Sequence, residues 1–429
     1  MVEDNLNVAK SKAILVGRPL DYSMDELGAL ARACDMEVVG VVVQNLEHPV
    51  AATYIGSGKA CEVARLAEEM EAEYCIFEDT LSPAQHKNLQ KIIQVQVMDR
   101  TGLILEIFSK RAKTREAKLQ VETAKLQYML PRLIGMWEAI GRQGGASGSK
   151  SNKGVGETQL ELDRRWIQKR LIFLKRELET IEHDRMIQRS KREKGSVPLV
   201  ALVGYTNAGK STIMNRLLAK CSDGEEKKVF EKDMLFATLD TSVRKITFED
   251  KKDFLLSDTV GFVDKLPHSL VKAFRSTLDE IKYADLLVEV ADYSDERCDE
   301  QMRITQETLN EIGIEGIPVI HVMNKIDKSE LRCDKVKIVG DRIYMSAGNS
   351  EGIDELVSMI KERIYAGNKE ASFLIPYSEG SIVNYINENA YVISSEYTEN
   401  GVEIRADVTA DMYGRLKRYI RGIDFSESV

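Results

Sequence analysis

Short apolar runs alternate with amphipathic stretches over the first hundred residues. Ala13–Val16, Glu37–Val43, Tyr74–Phe77 and Val95–Met98 are β-branched or aromatic runs of buried-strand type. Between them, Met24–Cys34, Lys59–Ala72 and Pro83–Ile93 have helical spacing. Strands alternating with helices predict a mainly parallel sheet. Ile55-Gly-Ser-Gly-Lys59 lacks the full spacing of a phosphate loop and a Ser/Thr after its lysine, so it reads as a turn opening a helix. Two long helices are predicted next, over Thr101–Leu130, closed by Pro131, and over Glu157–Lys194. The second carries Ile167, Leu171, Leu174, Leu178 and Ile181 in steps of four and three, a coiled-coil-like seam that predicts an antiparallel hairpin. Its tip, Gly141–Gly156, has six glycines, three cations and no acid, and reads as a loop. After Gly195-Ser-Val-Pro198 a second α/β pattern runs to about Gly367. The last stretch reads β-α-β-β-α, with Glu399-Asn-Gly401 as a hairpin turn.

Length and charge refine this layout. A chain of 429 residues exceeds one core and implies two to four domains, and 43 % hydrophobic residues exclude wholesale disorder. The longest apolar run, Val38–Val43, falls far short of the roughly 18–20 residues that span a bilayer. Met1-Val-Glu-Asp-Asn5 has no signal-peptide character, so a cytoplasmic protein without a transmembrane segment is expected. Cys34, Cys61, Cys75, Cys221, Cys298 and Cys333 form no Cys-x-x-Cys pair and are expected as thiols, and no histidine cluster suggests zinc. The net charge of −9 hides an asymmetry. Lys110–Lys194 has 21 basic and 11 acidic residues, a local +10 that suggests contact with a polyanion.

The sharpest chemical signal lies at the start of the second α/β pattern. Strand Leu199–Val203 leads into Gly204-Tyr205-Thr206-Asn207-Ala208-Gly209-Lys210-Ser211 and then a helix, which is the phosphate-loop pattern in its required setting. Backbone amides and the helix N-terminus favour phosphate, Lys210 reaches the β- and γ-phosphates, and the Ser211 hydroxyl suits Mg²⁺. The strand Phe254–Leu256 then ends at Asp258-Thr259-Val260-Gly261, where Asp258 can hold the ion through water and the Gly261 amide can face the γ-phosphate. Val319–Met323 ends in Asn324-Lys325-Ile326-Asp327. The Asp327 carboxylate can accept from both N1–H and the 2-amino group of guanine, a pairing adenine cannot offer. Asn324 braces that loop, Lys325 covers the base, and Ser346-Ala347-Gly348 follows another strand with the Ala347 amide placed for the guanine carbonyl. Four motifs in order, each after a strand, predict a GTP/GDP-binding domain. Phe236-Ala237-Thr238-Leu239-Asp240 lies between the first two, and Thr238 is the chosen second Mg²⁺ ligand, with Thr241 as its competitor. After Gly261 stands Phe262, where a GTPase such as Ras has its water-positioning glutamine, so the catalytic residue is unknown from sequence and slow unaided turnover is expected.

These segments, with Ala273-Phe-Arg-Ser-Thr-Leu278, Asp99-Arg-Thr-Gly-Leu-Ile-Leu105, Glu116-Ala-Lys-Leu-Gln-Val-Glu122 and Gly156-Glu-Thr-Gln-Leu-Glu161, resemble the HflX family of translation-factor-like GTPases over about residues 11–370. The resemblance implies a ribosome-associated GTPase that acts on the large subunit and its rRNA, splitting or rescuing stalled or stress-damaged ribosomes. A GTP-switched factor for large-subunit assembly is the alternative. The resemblance also implies a tip loop reaching toward the peptidyl-transferase centre; Arg142, Lys150 and Lys153, the cations of this acid-free stretch, are the RNA-contact candidates. Here the family's Gly-Pro-Gly-Glu run is Gly154-Val-Gly-Glu157. No DNA partner is expected, and a monomer is expected off the ribosome. The expected fold class is α/β. A P-loop GTPase domain at 197–368 follows an N-terminal α/β subdomain at 1–105 and a helical hairpin at 106–196, and a small α+β domain at 369–429 closes the chain.

Overall fold

In a computed structural model of the chain, residues 10–18, 23–143, 153–193, 197–221, 242–248, 252–259, 261–264, 280–329 and 335–420 are described. They divide into two compact units, the second beginning at Glu182. The first unit also takes in residues 261–264.

The apolar runs at the start of the first unit form β1 (Ser11–Gly17), β2 (Met36–Val43), β3 (Tyr74–Phe77) and β4 (Gln96–Asp99). All pair in parallel, in the order β2-β1-β3-β4. The helices between them are α1 (Ser23–Ala33), α2 (Ser57–Glu69) and α3 (Pro83–Ile93). α2 opens after Gly56, so the Ile55–Lys59 segment is a helix-opening turn. Ser82 and Gln85 form a reciprocal capping box at α3, which fixes where that helix starts. Ile14, Val16, Val63, Phe77 and Leu89 are fully buried between sheet and helices.

The helix expected over Thr101–Leu130 is two helices, α4 (Arg100–Arg111) and α5 (Arg115–Gln143). The break at residues 112–114 contains neither Gly nor Pro. It is set by Thr114, whose hydroxyl accepts the Ala117 N–H at 3.1 Å and starts a new helix. Pro131 lies inside α5 rather than ending it. Its missing N–H and ring crowding disfavour a helix interior, but Leu126, Leu130 and Leu133 continue one apolar face across it. That face packs on α6 (Lys153–Glu193) through Ile167, Leu171 and Leu174. Arg170 forks onto Glu122 at 2.6 and 2.9 Å, and Arg115 pairs with Glu177, so partners move backward along α6 as they advance along α5. The helices are antiparallel. Helix also extends further into the glycine-rich tip than expected, leaving residues 144–152 between the two.

The second unit centres on a seven-stranded sheet in the order β10-β11-β9-β8-β5-β7-β6. Its strands are β5 (Leu199–Gly204), β6 (Ser242–Thr247), β7 (Asp253–Asp258), β8 (Leu286–Asp292), β9 (Val319–Asn324), β10 (Lys337–Val339) and β11 (Arg342–Tyr344). The four consecutive neighbours from β9 to β7 are parallel, and β6 and β10 are antiparallel edges. Helices α7 (Lys210–Cys221), α8 (Cys298–Ile312) and α9 (Ile353–Tyr365) belong to this unit. Val200, Leu202, Val288 and Ile320 bury one sheet face against Ile213, Leu217, Leu356 and Ile360 of α7 and α9. A smaller antiparallel sheet follows, in the order β12-β14-β13. It comprises β12 (Lys369–Ile375), β13 (Tyr391–Thr398) and β14 (Gly401–Val408), with α10 (Gly380–Asn389) and α11 (Ala410–Arg415). Thr398 pairs with Gly401, so Glu399-Asn400 is the two-residue turn.

Candidate nucleotide site

The site residues of the second unit gather at the carboxyl ends of its parallel strands, where an open α/β sheet presents its crevice. The chain leaves β5 at Gly204 with φ +138°, and a Cβ there would stand 2.1 Å from the Val290 carbonyl oxygen. Only glycine permits so close an approach of β5 to β8. Gly209 has φ +102°, and its Cβ would stand 2.2 Å from Asn324 Nδ2. Asn207 is also left-handed, at φ 62°. Asn is among the residues that tolerate this region best. The loop then enters α7 with Lys210 as its first residue.

Lys210 is buried, and its Nζ donates to the carbonyls of Gly204 at 3.0 Å and Tyr205 at 2.7 Å. Burial pulls its pKa down to about 8, against the opposing field of Asp258. The Ser211 hydroxyl donates to Asp258 Oδ2 at 2.8 Å, bringing the loop and the end of β7 together. Thr259, also buried, donates to the Leu202 carbonyl at 2.6 Å and ties the next residue to β5.

Asn324, at the end of β9, is a three-way brace. Its Nδ2 donates to the Ala208 carbonyl at 2.8 Å, and its Oδ1 accepts the Ala347 N–H at 2.9 Å. The Ala347 amide is thereby already engaged, so a guanine carbonyl there would share it or use the Gly348 amide. Lys325 sits at φ 64° with its Nζ on Asp292 Oδ2 at 2.6 Å. Asp327 Oδ1 accepts from the Ser346 hydroxyl at 2.6 Å, which fixes the plane of the carboxylate.

Two supporting residues lie outside the motifs. Asp292, the Lys325 partner, ends β8 in register with Asn324 on β9, a strand-end position that a topology argument points to. Arg216 of α7 donates to the carbonyls of Ala347 at 3.1 Å and Gly348 at 2.8 Å, and no local pattern announces it. Among the other expected site residues, Phe236, Ala237, Thr238, Leu239, Asp240, Val260, Lys150 and the competitor Thr241 lie outside the described residues. Arg142 and Lys153 lie on the backbone of α5 and α6, near the ends that face the tip. Gly261 and Phe262 are buried within the first unit, Phe262 with 2 % exposure. A phenyl ring cannot hydrogen-bond water, so Phe262 supplies no substitute for glutamine.

A phosphate loop on β5, a carboxylate ending β7, and an Asn-Lys-x-Asp loop locked to both the phosphate loop and Ala347 define a P-loop GTPase. The family models for the N-terminal part and middle region of GTP-binding GTPases match residues 21–109 and 111–192, and that for 50S ribosome-binding GTPases matches residues 199–325. The GTPase HflX of Caldanaerobacter subterraneus is 41 % identical over 96 % of this chain and 94 % of its own length. That of Escherichia coli is 39 % identical over 84 % of this chain and 83 % of its own. The chain belongs to the HflX family of ribosome-binding GTPases, and its activity is hydrolysis of GTP. Among the described residues no helix is long and apolar enough to cross a membrane.

Proposed function

We propose that this protein binds the large ribosomal subunit and its rRNA and uses GTP hydrolysis to split or rescue stalled or stress-damaged ribosomes. The observation that carries this reading is a braced guanine-type pocket in a chain that aligns with HflX GTPases over nearly its whole length. In this reading Lys210 bears on the β- and γ-phosphates, and the Gly261 amide faces the γ-phosphate. Asp327 accepts from guanine N1–H and the 2-amino group, while the Lys325 stem covers the base. Ser211 Oγ and the Asp258 carboxylate are hard oxygen donors 2.8 Å apart, a donor set that fits Mg²⁺. Ser211 and Thr238 would hold the ion directly, with Asp258 behind a water. When bound, the ion neutralises charge developing on the phosphate oxygens.

The +10 charge of Lys110–Lys194 supports rRNA as the partner surface, with Arg142, Lys150 and Lys153 at its tip. With Phe262 in the glutamine position, turnover is slow until the ribosome supplies or orders the missing group. The protein works in the cytoplasm as a monomer between encounters. Sedimentation of purified ribosomes with the protein and GTP tests the reading. Splitting yields free subunits in a GTP-dependent manner. Intact ribosomes, with the protein retained on free large subunits, would instead favour an assembly role.

A further inference from the structure

The loop after β11 offers two backbone amides for a guanine carbonyl, and they are not equivalent. The Ala347 N–H is held by Asn324 Oδ1 at 2.9 Å, whereas the Gly348 N–H has no hydrogen-bond partner among the described residues. A Cβ on Gly348 would meet nothing closer than Ser346 Oγ, at 3.9 Å. A glycine peptide with open space around it rotates freely unless something outside the loop holds it. Arg216, in the middle of α7, does so. Its Nε donates to the Ala347 carbonyl at 3.1 Å and its Nη2 to the Gly348 carbonyl at 2.8 Å, a two-pronged grip on consecutive peptides. The Ala347 carbonyl also accepts the Ser350 N–H, at the longer distance of 3.3 Å. Arg216 is exposed, so water competes for these bonds and they add little to stability. Their geometric consequence is larger. In a trans peptide the carbonyl and the N–H of the following residue point in opposite directions in one plane. Holding the Ala347 carbonyl therefore sets the direction of the Gly348 N–H. Holding the Gly348 carbonyl likewise sets that of the Asn349 N–H, which donates to Ser346 Oγ at 3.3 Å.

We propose that Arg216 is a positioning residue for base recognition, aiming the Gly348 N–H at the 6-carbonyl of guanine. This rests on the assignment of guanine to the pocket at Asp327, made above. The carbonyl oxygen accepts from that amide. The 6-amino group of adenine would set a donor against a donor, the kind of mismatch that a polar site rejects strongly. A cation on the carbonyl side also polarises the peptide and strengthens its N–H as a donor. Arg216 never touches the base. It acts through the peptide between Ala347 and Gly348, and its own helix begins at Lys210 in the phosphate loop. Phosphate and base recognition are thereby built on one helix.

The test measures the affinity of the full chain, near neutral pH, for GDP and for two analogues that each alter one edge of the base. 6-Thio-GDP replaces O6 by sulfur, a weak acceptor, and keeps the N1–H and the 2-amino group. IDP keeps O6 and lacks the 2-amino group, so it reports the Asp327 contact. Arg216→Met keeps the stem and removes the fork. It is expected to lower the preference for GDP over 6-thio-GDP by about three- to tenfold, the worth of one hydrogen bond. The preference for GDP over IDP is expected to change less, because Asp327 keeps its own bond to Ser346. Arg216→Lys, a point donor in place of a planar fork, is expected to recover part of the lost preference. Should Arg216→Met fail to fold, the same ratios are read from Arg216→Lys. A merely structural arginine predicts equal loss for all three nucleotides, or a lower melting temperature with both ratios intact, and either result overturns the proposal. An equal fall in both preferences also overturns it, since the arginine would then hold the whole loop rather than one amide. So does a wild-type protein that binds GDP and 6-thio-GDP equally, because no donor would then face O6. The two assignments fail separately. A wild-type protein with no preference for GDP over IDP refutes the base contact at Asp327. If that preference is present and the Arg216 variants keep the wild-type ratio of GDP to 6-thio-GDP, only the Arg216 inference fails.

Discussion

Asp327 and Lys210 carry the nucleotide chemistry in opposite ways, one as a fixed acceptor and one as a charge held at the edge of its range. The Ser346 hydroxyl occupies Asp327 Oδ1, so the carboxylate cannot turn freely to suit a mismatched base. Asp327→Asn replaces an acceptor with a donor amide, and guanine's N–H groups then face N–H. Such a buried mismatch is expected to cost about 10²-fold or more in GTP affinity. Xanthine, with a carbonyl in place of the amino group, should gain. Competition between GTP and XTP for the variant checks this, and a retained preference for GTP would show that the base contact lies elsewhere. Lys210 makes a pH prediction. Its folded pKa, lowered by burial to about 8, lies below the ordinary 10.5, so the nucleotide-free protein sheds this proton as pH rises through about 8. The sign for folding follows. Between about 8 and 10.5 the unfolded chain binds more protons than the folded one, so this residue's burial penalty is fully present below 8 and is relieved as pH rises. Bound phosphates favour the charged form and reverse the shift. GDP binding above pH 8 should therefore take up a proton, and affinity should fall by up to about tenfold per pH unit. Calorimetry in buffers of different ionisation enthalpy measures that uptake. Lys210→Arg, which does not titrate there, should bind without it.

At the scale of elements, the Asp99 carboxylate shows how α4 and α5 are attached to the first sheet. It is fully buried at the end of β4. Its Oδ1 accepts from Tyr128 Oη at 2.6 Å and the Gly102 N–H at 2.8 Å; its Oδ2 accepts from Arg132 at 2.7 Å and the Leu81 N–H at 2.9 Å. One side chain thus caps α4, holds the strand-to-helix turn before α3 and docks the middle of α5. Burial, with the Asp99 charge behind it, also drives the Tyr128 hydroxyl well above its usual pKa, so it remains a donor. Asp99→Asn must turn an amide toward two of these donors. The expected cost is about 3–5 kcal/mol, that of breaking a buried ion pair, read as a lower urea midpoint. Sequence patterning located β1 and β3 because strands buried on both faces are continuous apolar runs, and the edge strands β2 and β4 because they keep a β-branched apolar core among partly exposed positions. It located the phosphate and base loops because their residue types are set by chemistry at fixed spacing. It missed the break at residues 112–114 and the passage of α5 through Pro131, because a threonine cap and an apolar face on α6 decide both. Arg100 with Glu26, 74 residues apart, and Asp292 with Lys325 leave no local trace, since their partners meet only in the fold.

For the whole molecule, the question is whether the helical hairpin does work that the GTP pocket alone cannot. α5 and α6 are fastened at Leu126, Ile167 and Leu174 and by the Arg170–Glu122 fork, all outside the segment that joins the two helices. The segment 144–152 can therefore be shortened without touching these residues. It contains Lys150, lies between Arg142 and Lys153, and has no acid. Cations in a glycine-rich segment can follow an RNA surface and release its counterions, and the ordering entropy keeps such binding weak unless the rest of the protein is also engaged. Replacing residues 144–152 by a short neutral turn should leave GDP affinity, unaided hydrolysis and thermal stability unchanged. It should reduce ribosome-stimulated hydrolysis and the yield of free subunits in a sedimentation assay. The salt dependence of large-subunit binding should flatten, because each phosphate that is no longer neutralised takes roughly 0.7–0.9 off the logarithmic slope. A passive connector predicts wild-type values in every ribosome assay, and that result would remove the tip from the mechanism. Loss of GDP binding would instead mean that the hairpin supports the pocket directly. Comparing the shortened chain with Asp327→Asn in XTP then separates reach from fuel, since the first keeps its nucleotide cycle and loses its grip, and the second keeps its grip and changes only the nucleotide that drives release.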